Sequence, residues 1–211
     1  MNSSNEAMIE HLAGAINSDL SEDEAANGVQ KYLSFMLDRE IFAFNIMGIK
    51  EIIEYGNINR IPMVPDYIRG VTNLRGSVVP VIDLSVRLGK LRLPVTKKTC
   101  IIIVEVKSGD ETVDVGVVID SIYEVSGFRE ADIEPAPSFG AGIPAEYIEG
   151  MGKRGDNFVV LLNASRVLSI DELSALIGEM APAKQSGRRL DAGSRENTHK
   201  GNGAAGASVE E

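Results

Sequence analysis

Two histidines, one cysteine and 31 carboxylates are the side chains of this 211-residue chain that could move a proton, attack a carbonyl carbon or hold a metal. Their placement argues against each of those uses. His11 and His199 lie near the two ends, outside the stretch from Tyr32 to Phe158 that holds all eleven aromatic residues. Aromatic rings supply much of a core's buried area, so that stretch marks the packed unit. It offers no imidazole as general base or zinc ligand. Cys100 opens the apolar run Cys100-Ile101-Ile102-Ile103-Val104. A reactive thiolate needs an electropositive, partly exposed setting, so this thiol reads as buried and structural. Paired carboxylates could still hydrolyse a glycosidic bond. Asp114, Asp120, Glu124, Asp132 and Glu134 are instead scattered along strand edges and loops, as solvated surface charge is. Ser108-Gly109-Asp110-Glu111 lacks the alternating ligands of a calcium loop. Gly140 and Gly142 sit among Pro135, Pro137 and Pro144 rather than between a strand and a helix, and neither a Walker-type sequence nor a dinucleotide fingerprint is present. The sequence predicts no catalytic residue, no metal and no cofactor. Recognition by surface is the expected class of function.

Charge narrows the partners. Thirty-one acids against 21 bases give a net −10, so there is no basic excess to displace the counterions of a nucleic acid. A nucleic-acid-binding β-barrel is the alternative from a different class; 16 bases against 21 acids over residues 31–180, with no basic stripe, weigh against it. One cysteine rules out an intramolecular disulfide and fits a reducing compartment. No apolar run approaches the roughly 18 residues that span a bilayer. Residues 1–30 carry six acids and no base, opposite to a secretory signal. The expected location is the cytoplasm.

The elements that would position a binding surface are short strands. Residues 32–37 and 41–44 read as a hairpin around Asp38-Arg39-Glu40, and 70–74 and 77–84 as another around Arg75-Gly76. Residues 100–107 and 112–119 flank a third turn; 122–125, 149–153 and 158–162 are further strands. Short helices are expected at 46–53 and at 83–88, the latter between Asp83 and Gly89. Ser169-Ile170-Asp171-Glu172 is a capping box opening a C-terminal amphipathic helix with Leu173, Leu176, Ile177 and Met180 on one face. Met8, Ile9, Leu12, Ala13 and Ile16 place a short amphipathic helix at 5–17 in an acidic N-terminal extension, residues 1–30. Residues 181–211, with five glycines and no aromatic, read as a disordered tail. Many short strands punctuated by turns, without strand–helix alternation, predict an all-β fold of closed or nearly closed barrels.

One stretch is far more specific: Arg60-Ile61-Pro62-Met63-Val64-Pro65-Asp66-Tyr67-Ile68-Arg69-Gly70-Val71-Thr72-Asn73-Leu74-Arg75-Gly76-Ser77-Val78-Val79-Pro80-Val81-Ile82-Asp83-Leu84. It closely resembles the CheW family, adaptors that couple chemoreceptors to the CheA histidine kinase. Ile49-Lys50-Glu51-Ile52, Gly116-Val117-Val118-Ile119-Asp120, Pro135-Ala136-Pro137-Ser138-Phe139 and Tyr147-Ile148-Glu149-Gly150-Met151-Gly152 match as well, in order and spacing across residues 31–180.

The resemblance implies two five-stranded, SH3-like β-barrels side by side with a groove between them, and a non-enzymatic role as adaptor or scaffold in bacterial chemotaxis signal transduction. The implied partners are the regulatory domain of a CheA-type histidine kinase and the cytoplasmic hairpin tip of methyl-accepting chemoreceptors, with no nucleic acid and only indirect membrane association. A CheW-type adaptor of another array, serving surface motility or development, is the near alternative. Carried over position by position, the resemblance implies kinase contacts at Ile49, Glu51, Gly70, Arg75 and Phe139. It implies receptor contacts at Cys100, Val115, Gly116, Ile122 and Val125. Arg75 also stands out on its own, as a long cation at a hairpin tip with no core to fill. Glu134 stands where some members carry a base, which reverses the charge beside the ring-closing aromatic Phe139.

Overall fold

The strands are organised by two-residue turns. Asp38 and Arg39 both have positive φ (46° and 69°), as do Arg75 and Gly76 (51° and 93°). Such backbones match the right-handed twist of the strands they join, so each closes an antiparallel hairpin without splaying it. The computed structural model describes residues 28–108, 111–136, 142–155 and 157–168, together with the single positions 7 and 14. Ala7 and Gly14 are helical and exposed; the rest of the predicted N-terminal helix, the C-terminal helix with its capping box, the tail and Phe139 lie outside the described residues.

Two sheets result. The first has the order β8 (Ser121–Arg129), β1 (Val29–Leu37), β2 (Glu40–Asn45), β11 (Asn157–Leu162), β10 (Ile148–Arg154) and the two-residue β9 (Ile133–Glu134). The second runs β3 (Ile49–Glu54), β6 (Cys100–Ser108), β7 (Glu111–Ile119), β5 (Ser77–Asp83), β4 (Ile68–Leu74). Each curls until its outer strands meet. In the first, Phe128 of β8 lies against Gly152 of β10, where an added Cβ would stand 2.8 Å from the ring. In the second, Ile53 of β3 and Leu74 of β4 pack on the same cluster as Val79, Val81, Ile101, Ile103 and Val118. These are the two barrels, with one more strand in the first than the expected five.

The period of two along each strand then builds three apolar layers rather than two. In β6, Ile101 and Ile103 fill the second barrel, while Cys100, Ile102, Val104 and Val106 face out of it. In β1 and β2, Tyr32 and Ala43 fill the first barrel, whereas Leu33, Phe35, Leu37, Phe42 and Phe44 face out of it. These outward rows, with Val115, Val117 and Ile119 of β7, form one continuous layer between the barrels. Strands buried on both faces explain the unbroken run at residues 100–104. Phe35 anchors the layer, its ring 5.2 Å from Phe44 and 6.5 Å from Phe42.

The barrels are variants of one plan. Each contains a parallel pair, β5 with β7 and β11 with β2. Tyr67-Ile68-Arg69-Gly70 opens β4 as Tyr147-Ile148-Glu149-Gly150 opens β10. Asp83 caps α1 (Leu84–Arg87) through Val86 N–H as Asn163 caps α2 (Ala164–Leu168) through Arg166 N–H. Connections cross over: β3 follows the β1–β2 hairpin yet pairs in the second barrel, and β8 follows β6–β7 yet pairs in the first. The second barrel is thus inserted within the first.

Residues 46–53, read from the sequence as a short helix, correct to a single 3-10 turn (Ile46–Gly48) followed by β3. Ile49, Ile52 and Ile53 are β-branched, and the register of β6 gives each a cross-strand partner, Val104, Ile102 and Ile101. Tertiary pairing overrides the weak helical spacing. The helix expected at 83–88 is present as α1.

Candidate functional site

The β4–β5 turn presents Arg75. Asn73 Oδ1 accepts from Gly76 N–H at 2.9 Å, fixing the turn from within. Arg75 Nη2 donates to Glu51 Oε2 at 2.9 Å, with 81% of the arginine side chain exposed and 25% of the glutamate. An exposed pair of this kind contributes only about 0.2–1 kcal/mol to stability. Its effect is orientation: a guanidinium is held on the surface at the tip of a hairpin whose strand β5 also exposes Val78.

Glu51 reaches this surface because of a β-bulge. The register of β3 on β6 shifts between Ile49 and Glu51, which pair with the adjacent residues Val104 and Ile103. Without the extra residue, positions two apart would share a face. With it, Ile49 enters the inter-barrel layer, buried, while Glu51 meets Arg75. The extra residue, Lys50, is held by Glu105 (2.9 Å) and Asp114 (2.7 Å). Gly70 is buried with φ +141°, and a Cβ there would lie 2.1 Å from the Asn59 carbonyl oxygen, across the bridge Asn59 makes to Val71. Of the residues expected to face a kinase, the structure brings Glu51 and Arg75 together, turns Ile49 inward and gives Gly70 a backbone role.

The residues that the resemblance assigns to the receptor lie mostly in the buried layer between the barrels. Cys100 and Val115 are fully buried and Ile122 nearly so, all three in the inter-barrel layer. Gly116 faces the second barrel's interior, where an added Cβ would stand 3.0 Å from Ile101 Cγ2. Val125 is half-buried at the layer's rim, as is Val113. Burial pushes the Cys100 thiol up from 9.0 to about 12, because a thiolate there would lose its hydration. Between those values the unfolded chain gives up this proton and the folded chain keeps it, so stability falls as pH rises. The urea midpoint is therefore expected to drop from about pH 9 to about pH 11, and to drop less steeply in Cys100→Ala. Equal slopes in the two proteins would show that the thiol is not in a dry layer.

Two constellations escaped the sequence. Asp83, its side chain 4% exposed, accepts from Arg69 Nε and Arg92 Nε, both at 2.9 Å, while its other oxygen caps α1. The signal was a carboxylate closing the apolar run Val-Val-Pro-Val-Ile; the cap explained only one of its two oxygens. Arg87 stacks on Tyr67 (4.7 Å) and Tyr147 (5.6 Å) and donates to the Val167 carbonyl. The two tyrosines hold the same place in the two barrels, so one guanidinium clips both. Among the described residues, no group of three or more His, Cys, Asp or Glu is placed to hold a metal ion, and no helix is long and apolar enough to cross a membrane.

Comparison with known proteins agrees with this architecture. Residues 31–172 match the family model of the CheW-like domain. The chain is 34% identical to the chemotaxis protein CheW of Klebsiella aerogenes over 152 residues, 72% of this chain and 89% of that protein. It is 29% identical to protein FrzA of Myxococcus xanthus over 142 residues, 62% of this chain and 86% of that protein. The crystal structure of the scaffolding protein TtCheW from Thermoanaerobacter tengcongensis superposes with a TM-score of 0.60 at 31% identity, covering 65% of this chain and 86% of that one. With two thirds of its length matched by one family model, this chain belongs to the family of CheW-like domains.

Proposed function

We propose that this protein is a non-catalytic adaptor of bacterial chemotaxis that couples methyl-accepting chemoreceptors to a CheA-type histidine kinase. Relatives named chemotaxis protein CheW and a relative described as a scaffold support the reading. The observation that carries it is the Arg75–Glu51 pair, a cation held outward on a fixed turn. In this reading that surface meets the kinase regulatory domain, where a few central residues dominate affinity. Ile49 and Gly70 then act by shaping the strands beneath it, and Phe139 adds a second contact. The receptor hairpin lies along the rim at Val125. Cys100, Val115, Gly116 and Ile122 set the shape of the floor without touching the receptor helix, which lays an apolar face on the rim. Signal passes if receptor states differ in contact free energy with the complex, typically by about 1–3 kcal/mol.

The test is reconstitution with receptor-bearing membranes and the cognate kinase, reading kinase autophosphorylation. The expected result is strong activation by this protein, with kinase affinity weakened about tenfold or more in Arg75→His and Glu51→Lys at unchanged melting temperature. Full activation by both variants would remove the site; absence of any kinase binding would remove the function.

A further inference from the structure

The repeat between the barrels isolates one feature that the shared plan does not require. In barrel one, the places of Arg69 and Asp83 are taken by Glu149 and Asn163, so the arginine–aspartate pair of barrel two has no counterpart at those two positions. Barrel two instead brings three arginines to one cavity of about 200 Å³, lined by Arg60, Arg69 and Arg92 with Tyr55, Ile58 and Asp66. Asp83 takes one N–H from each of Arg69 and Arg92, and Arg92 also donates to the Asp66 carbonyl oxygen. The Nη groups of Arg69 and the whole Arg60 guanidinium have no acceptor among the described residues. Three guanidiniums against the carboxylates of Asp66 and Asp83 leave one positive charge. The Arg69 side chain is 14% exposed, whereas Arg60 lies on the open side of the cavity; a charge-assisted hydrogen bond to the half-buried Arg69 guanidinium would be stronger than one made wholly in water. The two hydrogen bonds between Asn59 and Val71 pin the backbone next to Arg60, and Asp83 holds the Arg69 guanidinium through its Nε.

We propose that this cavity is a binding site for a single oxyanion group, a carboxylate or a phosphate, engaged by Arg60 and Arg69. The planar fork of arginine suits either group. Asp83 positions Arg69 by holding its Nε group, leaving the outer nitrogens of that guanidinium to the ligand, while Arg92 is tied to Asp83 and to the Asp66 carbonyl. The source is either a free anion or an acidic side chain of a protein partner.

The site can be read by NMR on the arginine Nε–H signals of the full chain, titrated at constant ionic strength with inorganic phosphate, acetate or a blocked tri-glutamate peptide. Saturable shifts of Arg60 and Arg69, absent from Arg129 and Arg154 on the first barrel, are expected. Arg60→Gln, an exposed substitution, should weaken binding about tenfold. Tighter binding of phosphate than of the peptide assigns the site to a free anion; the reverse assigns it to an acidic protein side chain. No saturation by about 50 mM of any probe, equal shifts in Arg129 and Arg154, or unchanged affinity in Arg60→Gln would overturn the proposal.

Discussion

Replacing Gly70 by alanine is expected to lower the melting temperature by about 10 °C. Two causes add. A side chain at φ +141° is strained by about 1–3 kcal/mol. The new methyl would also stand 2.1 Å from the Asn59 carbonyl oxygen, which is itself tied to Val71 by the bridge that closes the edge of barrel two. Relieving that overlap costs about another 1–3 kcal/mol, and each kcal/mol lowers the midpoint of a chain this size by about 2–4 °C. Gly76→Ala separates the two causes, since Gly76 has φ +93° but open space around it. It should cost only the strain. If the two variants melt together, the close approach of Asn59 is not what glycine serves. Under the proposed function, loss of kinase binding in a Gly70 variant would then arise from the displaced backbone rather than from a lost side-chain contact.

Asp83→Ala is the second large effect, with an expected loss of about 3–5 kcal/mol. Removing one partner of a buried ion pair leaves the other desolvated and unpaired, and here Arg69 is the buried one. The helix cap adds about 1 kcal/mol, since the Val86 N–H loses its acceptor. Asn163→Ala removes the corresponding cap in barrel one, where the capping side chain is an uncharged amide rather than a buried carboxylate, and should cost only about that 1 kcal/mol. Denaturant midpoints measure both, with an unchanged dependence on denaturant confirming that only stability moved. Equal losses at the two positions would mean that the Asp83 charge contributes nothing beyond its cap.

The strands and their turns were legible because their signals are local. Asp38-Arg39 and Arg75-Gly76 announce hairpins, and the short β-branched run that follows Arg75-Gly76 marks a strand whatever it packs on. The residue-level division of the core was not legible. Cys100 and Ile101 are both apolar, and only the pairing of β6 with both β3 and β7 tells which one faces the other barrel. The separation of Ile49 from Glu51 was hidden for a similar reason, because a bulge is a property of two strands in register and not of one. The duplicated plan was partly visible, as Tyr-Ile-x-Gly occurs twice, but its meaning required knowing that Tyr67 and Tyr147 flank the same arginine. The site at Arg75 could be singled out from the sequence by elimination, since a long cation beside a turn glycine has nothing to bury. Its partner Glu51, 24 positions earlier, required the fold.

Nesting one barrel inside the other sets the order in which a growing chain can fold. A polypeptide leaving the ribosome has all five strands of the inner barrel once Ile119 emerges. The β1–β2 hairpin, made earlier, waits for its parallel neighbour until Leu162 has been synthesised. At ordinary elongation speeds that delay is on the order of seconds. Throughout it, the outer rows of β6 and β7 lack much of their eventual cover, and a nascent chain stalled in this window would be a client for chaperones and a seed for aggregation.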